Sequence, residues 1–525
     1  MSEVIQYNPA TGDVLGTVPE ASPDQIRAAM TRARAAFPIW RATPLPERLA
    51  FLRKLRLLLV EQAHGIAEEI AAATGKIRGE ALSAEVLVVA DAIHYYERHA
   101  ETFLARQRVA TPILFFGNRS YIQYQPLGVV GVISPWNFPF QLAMIPVISA
   151  LIAGNAVLLK PSEVTPFVGT LMERLFKESG FPEGVVQVLH GGRDVGAGLT
   201  AARPDKIFFT GSVATGKKII AAAAEHLIPV DLELGGKDPM IVLADADLDR
   251  AVNGALWGAF TNAGQVCMSV ERVYVERPIY DEFVRRVTAG ARSLRLGEDV
   301  GSMTFPPQLA LVEEHLRDAV EKGARIECGG TAAKAGTLYF HPTVLTGVDH
   351  SMKIMRDETF GPVLPILPFD TVEEAVALAN DSEFGLNASV WTSDLAKAER
   401  IAAQLVSGNV CINEVISTVA NPHLPFGGVK QSGIGSYHGP GGLHTFSHRT
   451  SVMLNKGKKK REVNWFPYTA EQERAFHTII RLLFGTSRRA TLADIRNLIG
   501  QVLGKDSKDS RPAGQAGPNG KEHTS

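Results

Sequence analysis

VVGVISPWNFPFQLAMIPVISALIAGNAVLLKPSE, residues 129–163, decides the architecture. Its apolar length first suggests a membrane span. That reading fails at Pro135, Asn137, Pro139, Gln141, Pro146 and Asn155, which interrupt the run and would leave polar groups unsatisfied in hydrocarbon. The stretch divides instead into a buried strand (VVGVIS), a turn (PWNFP), a helix and a second strand (NAVLLK). Strands that are apolar at every position belong to parallel sheets covered on both faces.

The alternation continues on both sides. SPDQIRAAMTRARAAF is a helical pattern with Ser22 as its N-cap, and PERLAFLRKLRLLLVEQAHGIAEEIAAAT follows it,. RSYIQYQPLG alternates apolar and polar residues, the mark of an exposed antiparallel strand,. Further on, DKIFFTGS is a strand closing in a Gly-containing turn, TGKKIIAAAAEHL a helix and PVDLELGG another strand. Strand and helix in turn define an α/β chain. No internal repeat is present.

Bulk properties narrow the function. With 525 residues, 45% hydrophobic and 21% charged, the chain can bury the cores of two or three lobes,. Lys plus Arg (54) balances Asp plus Glu (55), so nothing pulls the chain as a whole toward nucleic acid,. Three cysteines, Cys267, Cys328 and Cys411, make no disulfide framework and point to a reducing, cytoplasmic setting,. The opening MSEVIQYNPATGDVLG lacks the charged-then-apolar order of a secretion signal,.

The C-terminal part changes character. Lys456 and Lys458 to Arg461 form a basic run, and a helical pattern spans about 471–503. Phe476, Ile479, Ile480, Leu483 and Phe484 fall on one predicted stripe; Leu492, Ile495, Leu498, Ile499 and Val502 suggest a second,. Residues 504–525, rich in Gly, Pro, Ser and charge, read as disordered,. A basic run beside an amphipathic helix is what peripheral contact with an anionic membrane requires. The bland alternative is a helix packed on protein with its lysines in water.

Chemistry centres on Cys267. A lone cysteine is more often a packing residue than a nucleophile. Here Gly264 and Gln265 mark a tight turn just before it. ELGGKDP supplies Glu233 ahead of two glycines that permit close approach,. Taken alone, Glu233 is a solvated charge and Asn137 a turn residue between prolines. Gly211 to Lys217 spells the start of a phosphate-binding P-loop, but the magnesium-binding Ser or Thr is replaced by Lys218, which argues against an ATPase,.

Seven segments then stand in one order: PWNFP at 135–139, KPSE at 160–163, FTGSVATG at 209–216, ELGGK at 233–237, GQVC at 264–267, ETFGPV at 358–363 and LPFGGVKQSG at 424–433. Over about residues 5–455 the chain resembles the aldehyde dehydrogenase superfamily. The resemblance implies an NAD(P)-dependent oxidation of an aldehyde to its acid. Cys267 would be the nucleophile, Asn137 and the Cys267 N–H the oxyanion donors, and Glu233 the base that activates water. It implies that the cofactor lies against Ser134, Trp136, Lys160, Ser162, Glu163, Gly211, Ser212, Gly216, Leu234, Glu358 and Phe360. No metal is expected. Glu163 at the adenosine ribose would accept hydroxyls and repel a 2′-phosphate, favouring NAD with NADP still possible.

The implied fold is a Rossmann-like cofactor domain (1–107 and 127–235), an α/β catalytic domain (236–425) and a small antiparallel oligomerisation arm (108–126 and 443–455). A C-terminal extension (456–503) and a tail (504–525) follow. The arm implies a homodimer or homotetramer. GQVCMSVER looks close to some succinic semialdehyde dehydrogenases. YHGPGGLHTFSH (437–448) and NWFPYT (464–469) look like the fatty and aromatic branch, which favours an apolar aldehyde. A CoA-acylating enzyme and a non-catalytic binding protein on the same fold are the remaining alternatives.

Overall fold

The computed structural model describes residues 2–485 apart from 116, 334 and 463. The chain forms two compact units, one of residues up to 105 with 124–450, the other of 106–123 with residues from 451 onward.

The quoted stretch folds as its pattern dictates. Val129–Ile133 and Ala156–Lys160 are parallel neighbours, buried at every position, and pair Ile133 with Lys160. The helix between them, Gln141–Ile152, is buried on all sides, as an all-apolar helix must be. The sheet runs in the order Gly433–Ile434, Val230–Glu233, Lys206–Thr210, Val129–Ile133, Ala156–Lys160, Val186–Val188. Its strands are parallel except Gly433–Ile434, which pairs antiparallel with Val230–Glu233 and sets Gly433 opposite Glu233.

A second sheet orders seven strands: Arg325–Cys328, Thr343–Thr346, Val363–Phe369, Val270–Glu276, Asp238–Val242, Asn387–Trp391 and Asn409–Ile412. Only the first pair is antiparallel. Glu233 ends a strand of one sheet and Asp238 begins a strand of the other. Four residues, Leu234 to Lys237, therefore link the two sheets.

Ser22 caps the helix Pro23–Ala42 through a capping box with Gln25, as its sequence predicts. The long pattern after it is two helices, Leu45–Glu61 and Ala63–Thr74, broken at Gln62. No Gly or Pro marks that break. The buried residues pass from Leu52, Leu55 and Leu59 to Ile66, Ala67, Ile70 and Ala73, so the apolar spacing alone reads as continuous.

A three-stranded sheet orders Ser447–Leu454, Arg119–Pro126 and Gln107–Val109, the last two antiparallel. Every residue of Gln107–Val109 is exposed on the outer edge. In the second unit, Thr469 and Gln472 cap the helix Ala470–Phe484. Its stripe differs from the expected one. Ala475 is buried and Phe476, Ile479 and Leu482 are partly covered, while Ile480, Leu483 and Phe484 are 57%, 48% and 80% exposed. The second stripe at 492–502 and the tail at 504–525 lie outside the described residues. Among the described residues no helix is long and apolar enough to cross a membrane.

Candidate active site

The link between the sheets borders a cavity of about 260 Å³. Trp136 and Asn137 enter it from the turn after Val129–Ile133, and Gly211 and Ser212 from the turn after Lys206–Thr210. Glu233 comes from the end of the strand Val230–Glu233 and Leu234 from the link, Cys267 from the turn before Val270–Glu276, and Glu358 and Phe360 from the segment before Val363–Phe369. These are nine of the site residues expected from the sequence. The turns that follow the parallel strands of the first sheet share one edge, and there they meet the segments that lead into two strands of the second sheet.

The glycines explain how so many segments meet. A methyl group at Gly235 would overlap the Glu358 carboxylate, and one at Gly236 would overlap the Cys267 carbonyl oxygen. Asn262, Ala263 and Gly264 have φ of 50°, 53° and 72°. This left-handed turn presses Gly264 onto the Gly361 carbonyl, where no side chain fits,. Phe360, also left-handed at φ 51°, meets Trp136 edge to face at 5.4 Å. Asn137 Nδ2 donates to the Gln265 carbonyl at 2.9 Å, joining the PWNFP turn to the GQVC turn.

The remaining expected cofactor residues stand apart from this cavity's lining. Lys160 Nζ is 2.7 Å from Glu163 Oε2, and the N–H of Ser134 donates to the Lys160 carbonyl at 3.1 Å. Ser162 is buried beside them in the chain. Ser212 caps the helix Val213–Ala224, accepting from the N–H of Thr215. Gly216, in that helix, lies under Leu234, where an added methyl would sit 2.8 Å from its Cδ2. The helix start at Gly211 and Ser212, with a Lys–Glu pair after the strand Ala156–Lys160, fits a dinucleotide.

Sequence reasoning missed several residues. Gln308 and Leu311, on the helix Pro306–Glu321, line the cavity. Gln308 Nε2 donates to the Thr359 carbonyl at 2.7 Å. Lys237 and Glu271 form a buried ion pair, and Glu271 accepts from the N–H groups of Thr359 and Phe360. Both lie in quoted motifs, but only the three-dimensional structure shows their purpose: they hold the ETFGP segment.

Burial governs the electrostatics. Neither oxygen of Glu233 has a hydrogen-bond partner among the described residues. Its carboxyl is pushed well above the usual range, first by burial and then by the charge of Asp231. Burial likewise raises the Cys267 thiol, with Glu358, Asp238 and Glu233 adding to the effect. Glu358 is pushed up to about 8, by burial and then by Glu271. The site holds its protons on carboxyl and thiol until something offsets the burial.

The model of the aldehyde dehydrogenase family matches residues 2–452. This chain belongs to the aldehyde dehydrogenase family. Among relatives, the 4,4'-diapolycopene aldehyde oxidase of Methylomonas sp is 45% identical over 490 residues, 92% of each chain. A putative succinate-semialdehyde dehydrogenase [NADP(+)] 2 of Mycobacterium tuberculosis (strain ATCC 25618 / H37Rv) is 40% identical over 451 residues, 84% of this chain and 86% of that one. Two solved structures, the NAD+ complexes of aldehyde dehydrogenases from Bacillus cereus and Mycobacterium tuberculosis, are each 36% identical with TM-scores of 0.83. Each covers 87% of this chain, and the match spans 94% and 96% of theirs. The α/β fold of parallel sheets is thus that of aldehyde dehydrogenases.

The Glu358 carboxyl gives this family member a measurable pH dependence. Its pKa is about 8 folded against roughly 4.3 in an unfolded chain. Between those values the folded state keeps a proton that the unfolded state has released, so stability falls as pH rises toward about 8,. Glu358→Gln removes the titration. Thermal melts from pH 5 to pH 8 should show a shallower decline of Tm in the variant than in the parent; parallel curves would refute the assignment.

Proposed function

We propose that this aldehyde dehydrogenase oxidises an apolar aldehyde to its carboxylic acid through a thioester on Cys267. The observation that carries the reading is that Cys267, Glu233 and Asn137 line one cavity with Gly211, Ser212 and Glu358. NAD, or NADP, supplies the hydride acceptor when bound. Gly211 and Ser212 present the start of the helix Val213–Ala224 to its phosphates, Lys160 and Glu163 face its adenosine ribose, and Glu358 its nicotinamide ribose. Ser134, Trp136, Ser162, Gly216, Leu234 and Phe360 shape the walls around it.

Cys267 Sγ, its proton released to solvent water, attacks the carbonyl carbon as its thiolate and the C–O π pair moves to oxygen. One amide hydrogen of Asn137 is engaged by the Gln265 carbonyl; the other, with the N–H of Cys267, meets the oxyanion. Collapse expels hydride and leaves the thioester. Glu233, isolated and raised in pKa, takes a proton from water as that water attacks, and the C–S bond breaks to return the thiolate. A carboxylate raised toward neutrality is the stronger base for this step.

Two supports favour an apolar substrate. Leu142 and Leu311 line the cavity, and among the described lining residues none is Arg or Lys. A relative acts on diapolycopene aldehyde. Succinic semialdehyde, named for the mycobacterial relatives, is the second reading; it would need a cation for its second carboxylate. A CoA acceptor is disfavoured by Glu233, which serves water. NAD is favoured over NADP because the Glu163 carboxylate would repel a 2′-phosphate.

The exposed edge strand Gln107–Val109 supports pairing with another copy, as a homodimer or homotetramer. The three unpaired cysteines support a cytoplasmic setting. In the extension, exposed Lys456, Lys458, Lys460 and Arg461 precede Trp465, Phe466 and Tyr468, which are 56%, 76% and 68% exposed. Basic charge ahead of exposed aromatics supports contact with an anionic membrane surface. The alignment with the diapolycopene aldehyde oxidase, at 92% of this chain, reaches past the family domain and into this extension.

Three measurements test the proposal. Cys267→Ala should abolish turnover, whereas Glu233→Gln should release one burst of NADH per site and then stall; parent-rate turnover by Glu233→Gln would remove it as the base. Across an aldehyde panel, hexanal and longer chains should exceed succinic semialdehyde in kcat/KM, and NAD should exceed NADP. A tenfold preference for succinic semialdehyde would overturn the substrate reading, and higher kcat/KM with NADP the cofactor reading. The full chain should sediment with anionic liposomes at low salt and detach as salt rises, while a chain ending at Asn455 stays in solution. Equal recovery of both chains in the supernatant would show that the extension packs on protein.

A further inference from the structure

Between the helices Ala63–Thr74 and Leu87–Leu104 the chain makes a short turn at Arg78–Glu80 and a π-helical turn at Ala81–Val86. Single π turns recur at functional sites. This irregular segment carries Lys76 and Glu85, an ion pair with no side-chain exposure on either partner.

The pair does not close on itself. Lys76 Nζ also donates to the Asn137 carbonyl at 2.9 Å and lies 4.1 Å over the Phe138 ring. Glu85 Oε2 accepts from the N–H of Phe140 at 2.8 Å and of Gln141 at 3.1 Å. These N–H groups open the helix Gln141–Ile152, whose N-cap, Phe140, makes no side-chain cap of its own. The ion pair therefore grips the Asn137 turn on both sides of Phe138.

The same segment reaches the other turn of the site. Glu80 Oε1 accepts from Thr261 Oγ1 and from the N–H of Asn262, both at 2.8 Å. Asn262 Nδ2 in turn donates to the Asn137 carbonyl at 3.0 Å and to the Gln265 carbonyl at 3.1 Å. One ten-residue stretch thus ties the turn bearing Asn137 to the turn bearing Cys267.

Burying two charges is costly, and well-packed apolar residues would often stabilise a core as much. Orientation is what an apolar pair could not supply. We infer that Lys76 and Glu85 are positioning residues that hold the Asn137 amide where the oxyanion develops. The inference rests on the reading of Asn137 as an oxyanion donor.

The test uses the full-length enzyme. Lys76→Met/Glu85→Gln removes both charges together and strands neither. The double variant should melt cooperatively and bind NAD as the parent does by fluorescence titration. Its NADH burst should slow by about tenfold or more, with KM for aldehyde little changed. In an Asn137→Ala background the same double change should cost less than about twofold, because the clamp acts through Asn137. A folded double variant with a parent-rate burst overturns the inference, and so does a loss that multiplies the Asn137→Ala loss. If the double variant does not accumulate, Glu85→Gln replaces it: its amide oxygen can still accept from the N–H groups of Phe140 and Gln141 while the ionic hold on Lys76 is lost. A parent-rate burst there overturns the inference equally. A parent-rate burst from Asn137→Ala itself would instead defeat the oxyanion reading beneath it.

Discussion

Two sheets joined by four residues can share a site only if the joint is almost bare. Gly235 and Gly236 meet that requirement: one is pressed by the Glu358 carboxylate and the other by the Cys267 backbone. Any side chain here would push apart two segments that must border one cavity. The joint also sets the position of Glu233, the last residue of its strand, with Gly433 opposite and Thr210 beside it. Close packing transmits such constraints, because a dense interior has no slack to absorb an extra methyl group.

The charges around the joint follow one rule. Carboxyls that hold backbone are satisfied: Glu271 serves Thr359 and Phe360, Glu85 serves Phe140 and Gln141, and Glu80 serves Thr261 and Asn262. Glu233, which lines the cavity, has both oxygens buried and unmatched among the described residues. An unmatched buried carboxyl is a cost to folding. Its place on the cavity wall agrees with the role of base proposed for it.

Much of the fold was legible in the sequence. The stretch 129–160 reads correctly because strands buried on both faces leave no ambiguity of register or side. Capping residues such as Ser22 announce themselves by type and spacing. The cavity-lining motifs were legible only as an ordered set, since Asn137 or Glu233 alone has a duller reading. Lys76, Glu80 and Glu85 were not legible. TGKIRGEALSAEV looks like an ordinary solvated helix, and no local pattern shows that two of its charges point inward. The break at Gln62 was hidden because the apolar spacing runs through it. In the helix Ala470–Phe484 the period was legible but not the phase: Ala475 and Leu482 are on the covered side, and Phe484 is not.

The strand Gly433–Ile434 closes the edge of a sheet whose other members all lie before residue 234. During synthesis that edge strand emerges about two hundred residues after its partner Val230–Glu233, roughly ten to forty seconds later at ordinary rates of translation. The first sheet must wait with an open edge beside Glu233 while the second is made. The strand that ends at Glu233, a residue lining the cavity, therefore stays paired on one side only until the residues of the second sheet have been made.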